Sequence, residues 1–490
     1  MDYDNLSELS IRELWVLFDQ HEDVDQGEIG LVLAEKLSKE GNPAEAIAVA
    51  ERVVALGERL GNNHFLASGY FRIGWSNYAL SRFDESYAAY KTCVNYFLVD
   101  GMEYAAAASI GNAIDGLLEM DKFEDALSFS LEGLNLARRY EETRQIGYLG
   151  RQYIRACRAL DEIQEIVNIA PEIIDAWRQI GDAEEVVRVR ELYADALFDV
   201  GDYETSLDTW RENEKVARVL EMRSFEANAI LKQAHLHLLL GEPRVSVAES
   251  ERGLELCLNR KLLWLAAKAH WLLAESGVFS RAESLQHIAE GLALVRTTTG
   301  ADGILYRDLL ISKLGLSKYY AEFEEEFYSA AEALLKWSGT LPQRNPTMLY
   351  TQARVFERYL DEKRYDEATA LYHPLKEALS KTDPDDIAVI TRILFGTSEI
   401  LLLLHQEEYQ EVINQGFVFL DEFAEIRTER FQFPVAYEAI GDALDALGDA
   451  RAYEMWNNAL ILFGYMNLEL GAESVAAKLL DTVKVPGQLL

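Results

Sequence analysis

Apolar residues in this chain recur at helical spacing, and the pattern is interrupted at nearly constant intervals. Between Val186 and Val200 they fall at Val189, Leu192, Tyr193, Ala196, Leu197 and Val200, the three-and-four alternation of one helix face. Gly201 and Asp202 then stop the helix: glycine accepts the left-handed geometry of a C-cap, and aspartate caps the next start. A second helix is expected from about Glu204 to Leu220, with Tyr203 wedged at the turn and the small Ser206 letting the two backbones approach. The turn Gly-Asp-Tyr-Glu-Thr-Ser-Leu at 201–207 has counterparts at 41–47, 81–87, 121–127, 161–167 and 241–247, a period of forty residues. Looser copies follow at 321–327, 363–369 and 407–413. Self-similarity at such a period is the signature of a repeat array.

The small position of the motif makes a column: Ala46, Ser86, Ala126, Ile166, Ser206, Ser246, Ser284, Glu326, Ala368, Val412 and Ala452. Eight of these eleven are small, so the column serves as a ruler for about eleven helix pairs between residues 28 and 465. Ser10 to Glu13 is a capping-box pattern opening a short helix to about Gln20, and a last helix is expected over Ala472–Val483. Connectors are expected at Thr297–Gly303, at Ser338–Thr347 with Pro342 and Pro346, and at Lys381–Asp386. The resulting division is an N-terminal capping helix (1–27), regular repeats (28–296), a repeat and connector forming a joint (297–347), and C-terminal repeats with a cap (348–490).

Composition narrows the function. The chain has 490 residues, 49% of them apolar, and only nine prolines, which suits a continuous core. Its net charge of −36 argues against nucleic acid and anionic membrane surfaces and favours basic or neutral partners. The bulk of that charge reads as a solvated helical exterior. Three scattered cysteines, with no CxxC, read as reduced thiols of a cytoplasmic protein, and Cys93 falls on an inward face. The first residues show neither a basic start nor an apolar run, so no signal peptide is evident, and Ile400–Leu404 is too short to span a bilayer.

Helix–turn–helix units with Gly-Asp-Tyr-Glu-x-Ser/Ala at the turn resemble tetratricopeptide repeats (TPRs), although forty residues exceeds the usual thirty-four. The segment Ala439–Leu460 is similar to the C-terminal repeats of bacterial transcription activators and peptide-sensing quorum regulators. The resemblance implies an all-α, TPR-like α-solenoid, a right-handed superhelix of about eleven repeats with short capping helices. It implies a cytoplasmic, bacterial, non-catalytic signalling protein that binds a protein or peptide and controls an effector. Those regulators carry a DNA- or nucleotide-binding module. Here about 28 residues precede the array, so the effector is expected on a separate protein. The second reading is a structural scaffold that binds through convex faces and ends.

In this family the first helix of each pair lines the concave surface. Counting back eighteen, fifteen, eleven and eight residues from the column gives Tyr148, Arg151, Arg155 and Arg158 in the fourth repeat. Spacings of four and three put the three arginines on one face. The segment 138–190 holds nine of the 31 arginines, among them Arg188. A guanidinium fork grips carboxylates in two-point contact, so an acidic or C-terminal carboxylate group is the expected ligand feature. Flanking repeats offer Phe71, Trp75 and Tyr78 as apolar anchors, Gly111 and Asp115, and then Asn228 and His235. The same count places Glu191 and Asp195 where they would neutralise Arg151 and Arg155. Unpaired arginines would favour sensing; arginines already held by acids would favour a scaffold.

Motifs for zincins, dinucleotide folds, P-loops and hydrolase elbows do not occur, so no enzymatic activity and no cofactor are expected. His235 and His237 sit two apart and point to different faces of a helix, which makes a metal pair there unexpected. The acidic stretch Asp19–Gly27 lacks the alternating ligands of a calcium loop and reads as a connector. Partner identity and oligomeric state are left open by the sequence.

Overall fold

In the computed structural model, residues 3–298, 303–318, 320–339, 346–424, 432–466 and 468–483 are described. Among them there is no strand. Pro342 and parts of the connectors expected at 297–303 and 338–347 lie outside the described residues.

The chain divides into two compact units between Leu265 and Ala266. The first begins with α1 (Ile11–Gln20), α2 (Asp23–Lys39), α3 (Pro43–Leu60), α4 (Asn63–Ala79) and α5 (Phe83–Val99). It continues with α6 (Glu103–Glu119), α7 (Phe123–Arg139), α8 (Thr143–Ala159) and α9 (Ile163–Gln179). Then come α10 (Ala183–Asp199), α11 (Tyr203–Val219), α12 (Arg223–Leu239) and α13 (Pro243–Arg260). After α14 (Leu263–Glu275), the second unit holds α15 (Arg281–Thr298), α16 (Ile304–Ser317), α17 (Glu324–Ser338), α18 (Pro346–Asp361) and α19 (Tyr365–Ser380). It ends with α20 (Val389–His405), α21 (Tyr409–Glu422), α22 (Gln432–Ala446), α23 (Ala452–Tyr465) and α24 (Glu469–Val483). The eleven expected pairs are α2/α3 through α22/α23, flanked by α1 and α24.

The turns explain the period. A left-handed residue stands at 41, 61, 81 and every twentieth position to 261, six of them glycine and six not. After each, the next amide reaches back to the carbonyl five residues earlier, as in Asp202 N–H to Leu197 O (2.9 Å) and Glu242 N–H to His237 O (2.8 Å). Paired with bonds such as Gly201 N–H to Phe198 O (3.0 Å), this is the Schellman closure of a helix end. The Asp202 side chain caps the following helix by accepting from Thr205 N–H at 3.2 Å, and Tyr203 packs its ring 5.5 Å from Phe198. The underlying unit is therefore one helix per twenty residues. A left-handed side chain costs roughly 1–2 kcal/mol, so Ser81, Asp121, Glu141, Asp161, Glu221 and Lys261 keep the cadence at a local penalty.

The small column is buried where it was read most regularly: Ala46, Ser86, Ala126, Ile166, Ser206 and Ser246 are all fully enclosed. Its serines do more than stay small. Ser86 Oγ donates to Gly74 O (2.9 Å) and Ser206 Oγ to Ala194 O (2.7 Å), tying each second helix to the first. Glu326 departs from the column: it is only half-buried, and the core position belongs to Phe327. Val200, expected on the apolar face, is 43% exposed because it is the cap residue of α10. The capping box at Ser10 and Glu13 forms as expected. Residues 23–27 are the first turns of α2 rather than connector, with Gly27 seated under the Phe65 ring.

All three cysteines are buried free thiols. Burial pushes the Cys93 and Cys257 thiols up to about 12 and Cys157 to about 11, so none is a ready nucleophile. No described helix is long and apolar enough to cross a membrane.

Candidate peptide-binding surface

The face marked by the ruler lies on α4, α6, α8, α10 and α12. Successive first helices are laced together by polar side chains at a recurring offset of 37 residues. Arg72 meets Glu35, Gln152 donates to Asp115 at 2.7 Å, Asn228 to Glu191 at 2.5 Å, and Lys232 to Asp195 at 2.5 Å. An offset of 37 is one helical turn short of the forty-residue repeat. Equivalent positions are therefore not the usual partners, although Arg155 and Asp115, forty residues apart, do touch.

The arginines pair across neighbouring helices at other offsets. Arg151 Nη1 bonds both oxygens of Glu185, at 2.9 and 2.7 Å, with its guanidinium 5.7 Å from the centre of the Tyr148 ring. Arg155 Nη1 donates to Asp115 Oδ1 (3.1 Å) and Gln152 Oε1 (2.8 Å), and Arg158 is held by Asp199. Arg188 leans on Glu185 at 3.5 Å and covers the Phe225 ring at 5.3 Å. All four are thus paired, but with Glu185, Asp115 and Asp199. Glu191 and Asp195, the partners expected from equal column position, turn to α12 instead. Arg155 and Arg158 remain 44% and 41% exposed, so each pair is screened and worth at most about 1 kcal/mol. Arg158→Ala is accordingly expected to lower the melting point only marginally, which a thermal scan checks.

Trp75, Tyr78 and Tyr148 do come together. With Asp115, Tyr90, Asn112 and Ala79 they line a recess of about 370 Å³ between α4, α5, α6 and α8. Trp75 is 47% exposed and Tyr78 36%, the latter also edge-on to Phe83 at 5.4 Å. The floor depends on Gly111: a Cβ there would lie 2.2 Å from Tyr148 Cε1, so only glycine lets the ring settle on α6. Tyr148 Oη then donates to Asp115 Oδ2 at 2.9 Å. Burial first, then the Asp115 charge, pushes the Tyr148 phenol up to about 12, and the same two causes raise Tyr78. The carboxylate accepts from Tyr148, Gln152 and Arg155 together, which fixes its orientation at the recess wall.

The other expected residues stand apart from the recess. Phe71 is half-buried, edge-on to Tyr90 at 5.6 Å, and belongs to the core. Asn228 is spent on Glu191, and His235 packs 5.4 Å from Phe198. His237 turns inward to Glu242 (2.6 Å), on the other face of α12 from His235. Asp115 is the residue that sequence reading undervalued: the ruler marked it, but only its three donors reveal it as the hub.

The helix pairs, their Schellman turns and the small column define a TPR-like α-solenoid. No family model and no curated protein matches the chain. Among solved structures it is similar to the apo form of RapI: 13% identity, 74% of this chain, 99% of that one, TM-score 0.51. That likeness shows the fold. It is also similar to a signal-transduction ATPase with a tetratricopeptide-repeat sensor from Pyrococcus horikoshii (15% identity, TM-score 0.48). That alignment takes in 68% of this chain and about half, 53%, of the ATPase. The apo quorum sensor NprR from B. thuringiensis aligns at 14% identity over 71% of this chain and 99% of its own, TM-score 0.44.

Proposed function

We propose that this chain is a non-catalytic regulator that binds a protein or peptide segment on the first-helix face of its N-terminal unit and thereby controls a separate effector protein. The observation that carries this reading is the recess at Trp75, Tyr78 and Tyr148. A half-exposed indole beside a shaped concavity with an oriented carboxylate is the composition of a binding hot spot. The affinity would come from an apolar or aromatic anchor entering the recess. A ligand carboxylate would have to displace Asp115 or Asp199 from an arginine, exchanging one screened ion pair for another. The arginine row therefore orients a ligand more than it holds one, and a basic residue beside Asp115 fits the acidic chain equally well.

The second reading, a scaffold binding through other faces, is favoured by the pairing of all three arginines across neighbouring helices. Affinity purification of the full chain from its host separates the two. The Trp75→Ala/Tyr78→Ala variant, whose side chains are already half in solvent, is expected to stay folded and to lose its partner by about thirtyfold. The triple change of Arg151, Arg155 and Arg158 to glutamate should weaken capture less. Undiminished capture by both folded variants would remove this face from consideration and leave the scaffold reading.

A further inference from the structure

We propose that His270, His287 and Glu290 form a binding site for a borderline transition-metal dication, zinc being the ion their chemistry fits. The site lies in the second unit, where α14 and α15 pack together. His287 and Glu290 are three apart on α15 and so share one face, and His270 projects toward them from α14. Gly291 makes the approach possible: a Cβ there would meet Leu309 Cδ2 at 2.9 Å, Ala267 O at 3.3 Å and His270 Cβ at 3.4 Å.

Two of the three separations match those of a coordination sphere. His270 Nδ1 is 3.2 Å from His287 Nδ1 and 3.3 Å from Glu290 Oε2, and the three ligand atoms lie within 4.8 Å of one another. Ligands held about 2.0–2.1 Å from zinc in a tetrahedron stand about 3.3 Å apart. Hydrogen bonding satisfies the trio less well. A neutral imidazole Nδ1 carries either a proton or a lone pair. If His270 Nδ1 carries the proton, one donor is divided between two acceptors. If it carries the lone pair, it faces the Glu290 carboxylate with no proton between them. A cation at the centre accepts from all three at once.

Two imidazoles and one carboxylate select zinc and its neighbours over magnesium and calcium, which prefer all-oxygen shells. His270 is 8% exposed and Glu290 45%, so the ion would be anchored on the buried side and open to water at its fourth position. The ring of Phe279 stands 5.1 Å from His287, edge to face, and restricts its rotation. An ion here would clip α14 to α15, beside the apolar seam of Ala267, Ala274, Ile288 and Leu292 that already joins them.

The test uses the full chain without a polyhistidine tag, stripped with a chelator and titrated with zinc by calorimetry. One equivalent is expected to bind, with a rise in melting temperature that magnesium does not reproduce. Cobalt in place of zinc should give the intense visible absorption of a four-coordinate N/O site. His287→Ala should abolish that equivalent and the thermal shift, and Glu290→Gln, conservative and half in solvent, should weaken binding at least about tenfold. Zinc binding of equal stoichiometry and affinity in the wild type and both variants would overturn the site, as would its absence from the wild type. Tighter binding of magnesium than zinc would overturn the assignment of ion.

Discussion

Replacing Glu357 with glutamine is expected to cost the second unit about 3–5 kcal/mol, the loss typical of removing one partner from a buried ion pair. Glu357 is 8% exposed and is bound from three elements. Lys318, capping α16, donates to it at 2.7 Å; Arg354, one turn earlier on α18, approaches at 3.4 Å; Gln432, opening α22, donates at 2.9 Å. The glutamine keeps the shape and an acceptor but takes from the 2%-exposed Lys318 ammonium its nearest carboxylate, leaving Asp361 as the acid that still acts on it. Burial already lowers the Lys318 amine from 10.5 to about 8. The sign of the pH effect follows. Below pH 8 both folded and unfolded chains carry the proton, and the folded chain bears the full burial penalty. Between 8 and 10.5 the folded state releases the proton first, so stability rises with pH across that window. In Glu357→Gln the folded-state value falls further, and the deficit at pH 7 should shrink as the pH approaches 9.5. Hydrogen exchange of α16, α18 and α22 in the full chain measures both effects. Adding Lys318→Met should recover much of the loss. A deficit under about 1 kcal/mol, independent of pH, would mean that water already screens the pair.

This network also marks a boundary of what the sequence could disclose. Lys318 and Glu357 are 39 residues apart, close to one repeat, yet neither stood out. Both fall beyond residue 265, where the twenty-residue cadence ends and the ruler slips, as the displacement from Glu326 to Phe327 demonstrates. Inside the first unit the ruler succeeded because each turn obeys one backbone rule. Even there only alternate turns carried a recognisable motif. Those at Glu141, Glu221 and Lys261 adopt the left-handed conformation without glycine, so the true period was half the one first visible.

Facing positions were legible; pairings were not. The count placed Trp75, Tyr78, Asp115 and Tyr148 on one surface, and they share one recess. The same count joined Arg151 to Glu191 because it assumed that equal positions touch. Neighbouring helices are staggered by about a turn, and long side chains lean toward the helix N-terminus, so Glu185 is the residue in reach. His270 and His287 were missed for a related reason. The three-residue spacing of His287 and Glu290 is a recognisable ligand signal, but its third member lies on another helix, at a distance set by packing around Gly291.

Trp210→Ala is expected to remove a similar amount, about 3–5 kcal/mol, and to do so locally. Trp210 is fully enclosed, the largest side chain so placed, in a cluster with Ala194, Leu207, Ala229 and Leu236. These come from α10, α11 and α12, so the indole is the wedge that holds three successive helices at their spacing. Loss of the ring leaves a cavity that three helices must close together. In a stack where each repeat meets only its neighbours, the damage has nowhere else to spread. Amide exchange should therefore accelerate across α10–α12 while α2–α4 keep their protection. The polar lacing over the same helices should loosen with them, because Asn228–Glu191, Lys232–Asp195 and Arg158–Asp199 all depend on where α10 sits. The recess, built on α4, α5, α6 and α8, should keep the partner proposed for it. Uniform loss of protection from α2 to α13, with loss of the partner, would show instead that the first unit unfolds as one cooperative block, and that the binding surface shares the stability of every repeat beneath it.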